Sequence, residues 1–150
     1  MAIRQLTHFD DERFRKKSKP ITKFDEKLWE LLDDMRDTLE RAKGFGCAAV
    51  HVGVLKRVVL ILGNITMELI NPAIVAKSSE TARFLEGSIA PGAPRGYVER
   101  PIEVTVDAQD RNGNPITINA EGFLAATLCH EIDHLDGVLF SDKFVGSGSS

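Results

Sequence analysis

Phe24, Leu28, Leu31, Leu32, Met35, Leu39 and Ala42 recur at helical spacing, which predicts an amphipathic helix starting near Asp25 and ending at Gly44. Thr22 and Asp25 have the spacing of a capping box. Asp25 and Glu26 suit the positive end of the helix dipole, and Arg41 and Lys43 the negative end. The pattern then changes. Val58–Leu62 is an apolar run of strand length, followed by a turn at Gly63-Asn64. Met67–Ile70 leads through Asn71-Pro72 into Ala73–Ala76, and a second β region covers Tyr97 to Asp107. Arg111–Asn114 reads as a hairpin turn with Ile116 and Ile118 on the return strand. Between the β regions, Glu86–Pro94 is too rich in Gly and Pro for regular structure, and Gly44–Ala49 reads as a small-residue loop. A last helix spans about Glu121 to Asp136 and stops at Gly137. It is apolar nearly all round, as in a helix buried inside a domain.

Composition narrows the class. The chain has 150 residues, 43% of them hydrophobic and 27% charged, the balance of a folded globular protein rather than a disordered one. At this length one core can bury roughly 70% of the surface the unfolded chain exposes. We therefore expect a single domain over 1–145 and a flexible polar tail over 146–150. The net charge of −3 argues against a nucleic-acid binder working by bulk electrostatics. The basic cluster Arg13–Lys19 follows three acids and reads as a solvated face. No apolar run reaches the ~20 residues of a membrane span, and the first residues lack a signal-peptide pattern. With two cysteines, Cys47 and Cys129, the simplest expectation is a cytoplasmic chain with reduced thiols. A monomer is the default.

The chemistry concentrates in His130-Glu131-Ile132-Asp133-His134. Histidines at i and i+4 share a helix face, so both imidazoles can meet one metal ion, and Glu131 stands beside them to handle the proton of a bound water. On a buried helix, unpartnered imidazoles and a carboxylate would cost several kcal/mol, so a metal site accounts for them better than chance polarity. A third ligand must lie upstream, since no His, Cys or Glu follows His134. The upstream donors are His8, His51, Cys47 and Cys129, the last about 100° around the helix from His130 and awkward for the same ion.

These residues, with Ile3-Arg4, Arg15-Lys16-Lys17, Leu69–Pro72 and Arg100-Pro101, make the chain resemble the peptide deformylase family over nearly its whole length. Three family motifs occur in order: GxGxAAxQ as Gly44–His51, EGCLS as Glu86–Ala90, and QHExDHLxG as Cys129–Gly137. The resemblance implies an α+β fold, with antiparallel β-sheets around a central buried helix carrying HExxH. It implies a metal-dependent hydrolase of protein biosynthesis and N-terminal processing, which removes the formyl group from the terminal methionine of nascent peptides. Fe2+ is the metal the family suggests, with Zn2+ or Ni2+ as alternatives. His130, His134 and position 88 would hold the metal. Glu131 would move the protons, and the Ile89 backbone N–H and His51 would meet the oxyanion. Gly44, Phe45, Gly46, Glu86, Gly87 and Arg95 would bind a formylated or other N-acyl peptide.

The departures fall on the chemistry. Position 88 is Ser where the family has its ligand Cys, position 51 is His instead of Gln, and position 129 is Cys instead of Gln. A hydroxyl is a neutral, weaker ligand than a thiolate. Three arrangements follow: His51 replaces the lost ligand, water or Ser88 Oγ completes a weaker site, or the site is silent and the chain only binds peptides. An amidase acting on a different N-acyl group is a further alternative.

Overall fold

Asp25 opens the first helix: its backbone is extended, and its carboxylate accepts from the N–H groups of Lys27 and Leu28, so α1 runs Glu26–Ala42. Asp25 is thus itself the N-cap, in place of the expected Thr22–Asp25 box, because one carboxylate already reaches two of the free N–H donors. The buried stripe is Leu28, Leu31, Leu32, Met35 and Leu39. Lys43, not Gly44, takes the left-handed cap conformation, with φ 57°. Gly44 is required for space: a Cβ there would sit 2.5 Å from Ile89 Cγ2 and 2.6 Å from Leu39 Cδ1.

The computed structural model describes residues 2–145, so the tail expected over 146–150 lies outside the described residues. After α1 come β1 (Gly46–Ala48), β2 (Val58–Leu62), β3 (Thr66–Lys77), β4 (Thr81–Glu86), β5 (Gly96–Pro101), β6 (Glu103–Gln109), β7 (Pro115–Glu121) and then α2 (Gly122–Leu135). One antiparallel sheet has the order β1-β2-β3-β6-β7; β4 and β5 pair separately. This is the expected α+β arrangement, with three local differences. Gly46–Ala48, read as loop, is a short strand on β2. The single β region expected over Tyr97–Asp107 is two strands in different sheets, separated at Ile102. And β4 was not foreseen: its inward positions are Ala82, Phe84 and Glu86, so the apolar alternation that signals a strand ends on a carboxylate.

Helix α2 runs through the core. Ala125, Leu128, Ile132 and Leu135 are buried against Val59, Ile61 and Leu69 of the large sheet, Val98 of the small one, and Phe14 and Phe140. Its other end differs: Phe123 is 57% exposed. The N-terminal basic cluster is a solvated, ion-paired face, with Arg13 on Asp11, Lys16 on Glu12 and Arg15 on Asp142. Phe14, inside that cluster, is fully buried. No helix among the described residues is long and apolar enough to cross a membrane.

One residue pins the N-terminal segment to the sheet. Asn71 has φ 54° at an irregularity in the β3–β6 pairing. Its Oδ1 accepts from Ile21 N–H at 2.8 Å, and its Nδ2 donates to Ile21 O and Gln109 Oε1, both at 2.9 Å. Asn tolerates this backbone better than most residues because its amide substitutes for missing backbone partners. Asn71→Ala loses those bonds at a left-handed position, so unfolding in urea is expected to show a loss of about 2–3 kcal/mol.

Candidate metal centre

His130 and His134 lie one turn apart on α2, with their Nε2 atoms 3.2 Å from each other. Two imidazoles on one tetrahedral cation at ~2.0–2.1 Å bring their nitrogens to about 3.3 Å, so the pair has the spacing of a shared ligand set. The tautomer of His130 is fixed from behind. Its Nδ1 lies 2.8 Å from Glu86 Oε1; the carboxylate accepts, so Nδ1 carries the proton and Nε2 presents its lone pair. Glu86 is held in turn by Arg100, whose Nε and Nη2 donate to it at 2.8 and 2.9 Å while Nη1 donates to Asp133 at 2.8 Å. Burial pushes the Glu86 carboxyl up, but the bonds from Arg100 and His130 outweigh it and hold the group below its ordinary range. Phe140 stacks on His130 at 4.7 Å between ring centroids, and Phe14 lies 5.3 Å from the rings of both His51 and His134.

On α2 itself, two buried side-chain polar atoms have no hydrogen-bond partner among the described residues: Glu131 Oε1 and His134 Nδ1. Burial pushes the Glu131 carboxyl up to about 7, where it can both take and return a proton near neutrality. Burial, with His51 and His130 beside it, holds His134 well below its ordinary value, so the ring is neutral and one of its nitrogens has a lone pair to give. Two imidazoles with a carboxylate alongside suit a divalent transition cation. The residues present fit one.

His51 belongs to this cluster. It sits on the 3-10 turn Ala49–Val52 and is 1% exposed. Its Nε2 is 3.2 Å from Ser88 Oγ; its Nδ1 accepts from Ala48 N–H at 3.0 Å and lies 4.0 Å from Glu131 Oε1. Donor atoms of His51, Glu131 and His134 all fall within 4.8 Å of one another. Burial brings the His51 imidazole down to about 3, so it is neutral. Ser88 Oγ also accepts from Ala90 N–H at 3.1 Å. The other upstream donors do not join. His8 is exposed and caps Asp10 N–H, Cys47 is buried among residues of α1 and β2, and Cys129 packs in the apolar core.

A cleft of about 320 Å³ opens onto His130 and Glu131, lined by Gly44, Phe45, Gly46, Glu86, Gly87, Ser88 and Ile89. Phe123, 5.0 Å from Phe45 between centroids, adds an apolar wall that the sequence did not suggest. Glu86 lines the cleft with its carboxylate turned to Arg100 and His130. Arg95 is exposed and lies against Gly87 outside the residues lining the cleft. Sequence reasoning left the roles of Arg100, Phe14 and Phe140 unseen. A strand arginine reads as solvated, and partners 14 and 33 positions away leave no local signal.

A buried helix bearing HExxH, with its first histidine oriented by a carboxylate, defines a metal-dependent hydrolase centre. The model of the polypeptide deformylase family matches residues 3–149. Among relatives, a peptide deformylase of Caldicellulosiruptor bescii is 51% identical over 146 residues, covering 97% of this chain and 87% of its own. Peptide deformylase 2 of Clostridium acetobutylicum is 46% identical over 144 residues, 95% of each chain. The crystal structure of peptide deformylase from Thermotoga maritima superposes with a TM-score of 0.94 at 33% identity, over 97% of this chain and 100% of that one. The chain belongs to the peptide deformylase family, and with it to the metal-dependent hydrolases.

Proposed function

We propose that this chain, with residues 1–145 as one domain, removes the N-formyl group from the terminal methionine of nascent peptides, hydrolysing a C–N bond of a linear amide to formate and a free amine. The observation that carries this is the His130–His134 pair with Nε2 atoms 3.2 Å apart and a buried, otherwise unpartnered Glu131 oxygen beside it. His130 and His134 hold the cation, and Ser88 occupies the family's third-ligand position. A divalent ion there supplies the Lewis acidity that makes water a nucleophile near neutral pH. Without a thiolate, imidazole and oxygen donors accept Fe2+, Zn2+ or Ni2+.

Glu131 takes the proton of the attacking water as it adds to the formyl carbon and returns it to the leaving amine. Its carboxyl, brought to about 7 by burial, suits both transfers. The Ile89 N–H meets the negative charge developing on the formyl oxygen. Gly44, Phe45, Gly46 and Gly87 form the walls of the groove, where an extended peptide can bond to backbone. Phe45 and Phe123 cover the apolar side chain next to the scissile bond, and Arg95 borders it from outside.

The test is release of formate from a formyl-methionyl tripeptide by the protein reconstituted with one equivalent of Fe2+, Ni2+ or Zn2+. Catalytic turnover that a chelator abolishes and added metal restores is expected. Stoichiometric metal without formate release would refute the reading.

A further inference from the structure

The third donor is the open part of the site. Ser88 is a poor candidate on its own surroundings. Its oxygen is neutral, accepts from Ala90 N–H at 3.1 Å and lies 3.2 Å from His51 Nε2. A hydroxyl so engaged has little to give a cation that competes with water. His51 is different: an imidazole, 1% exposed, with its ring centroid 4.8 Å from that of His134 and nearly perpendicular to it. A donor atom of His51 lies within 4.8 Å of donor atoms of His134 and Glu131.

We propose that His51 supplies the third protein nitrogen to the cation, making this an all-imidazole centre in which Ser88 is a hydrogen-bonding neighbour and not a ligand. This rests on the reading that His130 and His134 hold a divalent ion.

Two features of the fold make the exchange accessible. The first is the tautomer. His51 Nδ1 lies 3.0 Å from Ala48 N and 3.2 Å from Ala48 O. The ring therefore has a backbone partner whichever nitrogen carries the proton. When Nδ1–H donates to Ala48 O, the lone pair stays on Nε2, the nitrogen 3.2 Å from Ser88 Oγ. This is the backbone anchoring that orients metal-bound histidines generally. The second is distance. Nitrogens on one tetrahedral cation lie about 3.3 Å apart; donor atoms of His51 and His134 lie within 4.8 Å of one another, so for that pair ring movements on the order of 1 Å suffice, and His130 joins through His134, whose Nε2 is already 3.2 Å from its own. Binding a neutral imidazole releases no proton, whereas a thiol ligand would have to lose one. A centre so bound carries one more positive charge than a thiolate-bound centre of the same fold.

The test uses the full chain stripped of metal and titrated with Zn2+ against a chromophoric chelator, for the unsubstituted protein, His51→Gln, Ser88→Ala and His130→Gln. His51→Gln is expected to weaken zinc binding by more than the ~10–100-fold typical of losing an outer-shell partner, while Ser88→Ala stays within about 3-fold. In parallel, 15N spectra of the unsubstituted protein labelled on histidine are expected to show the His51 Nε2 resonance moving on zinc addition. That readout stands even where a variant fails to fold. Unchanged zinc affinity in His51→Gln, or a stationary His51 Nε2 resonance at saturation, overturns the proposal, as does a loss confined to Ser88→Ala. If His130→Gln retains zinc, or the unsubstituted protein binds none, the metal reading falls with it. If His130→Gln alone abolishes binding, the assignment to His51 fails by itself.

Discussion

Glu131→Gln is expected to lower turnover of a formyl-methionyl peptide by about 10²–10⁴-fold, the range of a lost general acid–base group, with metal content unchanged. The substitution keeps the shape and one hydrogen-bonding oxygen but cannot carry a proton between water and amine. Steady-state formate release with metal analysis on the same sample checks it. Stability supplies a second, independent signature. The Glu131 carboxyl rises from an ordinary 4.5 to about 7 because burial disfavours its charge. An acid raised in this way weakens the folded state as pH climbs from the unfolded value to the folded one. The metal-free parent is therefore expected to lose stability relative to Glu131→Gln between pH 4.5 and about 7, with a constant difference above that. His51 and His134 are common to both proteins, so comparing the two isolates Glu131. A variant of normal turnover, or one that loses its metal, would place the proton transfer elsewhere.

Arg100→Ala is expected to cost about 3–5 kcal/mol in unfolding free energy, because it leaves a buried carboxylate without its partner. Arg100 and Glu86 have side chains 2% and 7% exposed and are joined by two hydrogen bonds. The effect does not end with stability. Glu86 Oε1 also orients His130, so the same substitution is expected to weaken metal binding by about 10–100-fold. Arg100→Lys is not a rescue, since an ammonium cannot hold Glu86 through two nitrogens and still reach Asp133. Replacing Glu86 and Arg100 together by apolar residues should restore much of the stability but not the metal affinity, since His130 then has no acceptor behind it. Urea unfolding and zinc titration of the three variants separate these effects.

How much of this was readable in the chain depends on how local the signal is. Helix α2 and its HExxH were plain because a 3.6-residue period puts His130 and His134 on one face without reference to anything else. The hairpin at Arg111–Asn114 was plain for the same reason: Gly113 takes φ 86°, and Asp110 accepts from the N–H groups of Asn112 and Asn114. Strand β4 was hidden because its inward end is Glu86, whose burial makes sense only once Arg100 and His130 are in place. Phe14 was lost in a run of cations, although its ring packs on His51 and His134. The neighbourhood of His51 and Ser88, 37 positions apart, is a product of tertiary folding. The sequence could show that both departed from the family motif, but not that the two side chains meet.

The most direct measurement is a crystal of the protein grown with one equivalent of Zn2+, with diffraction collected at the zinc absorption edge. The expected result is a single anomalous peak within ligand distance of both His130 Nε2 and His134 Nε2, with Glu131 beside it and free of it. The contradicting result is no scatterer at that point, with the two Nε2 atoms still 3.2 Å apart and joined to each other by an N–H···N hydrogen bond.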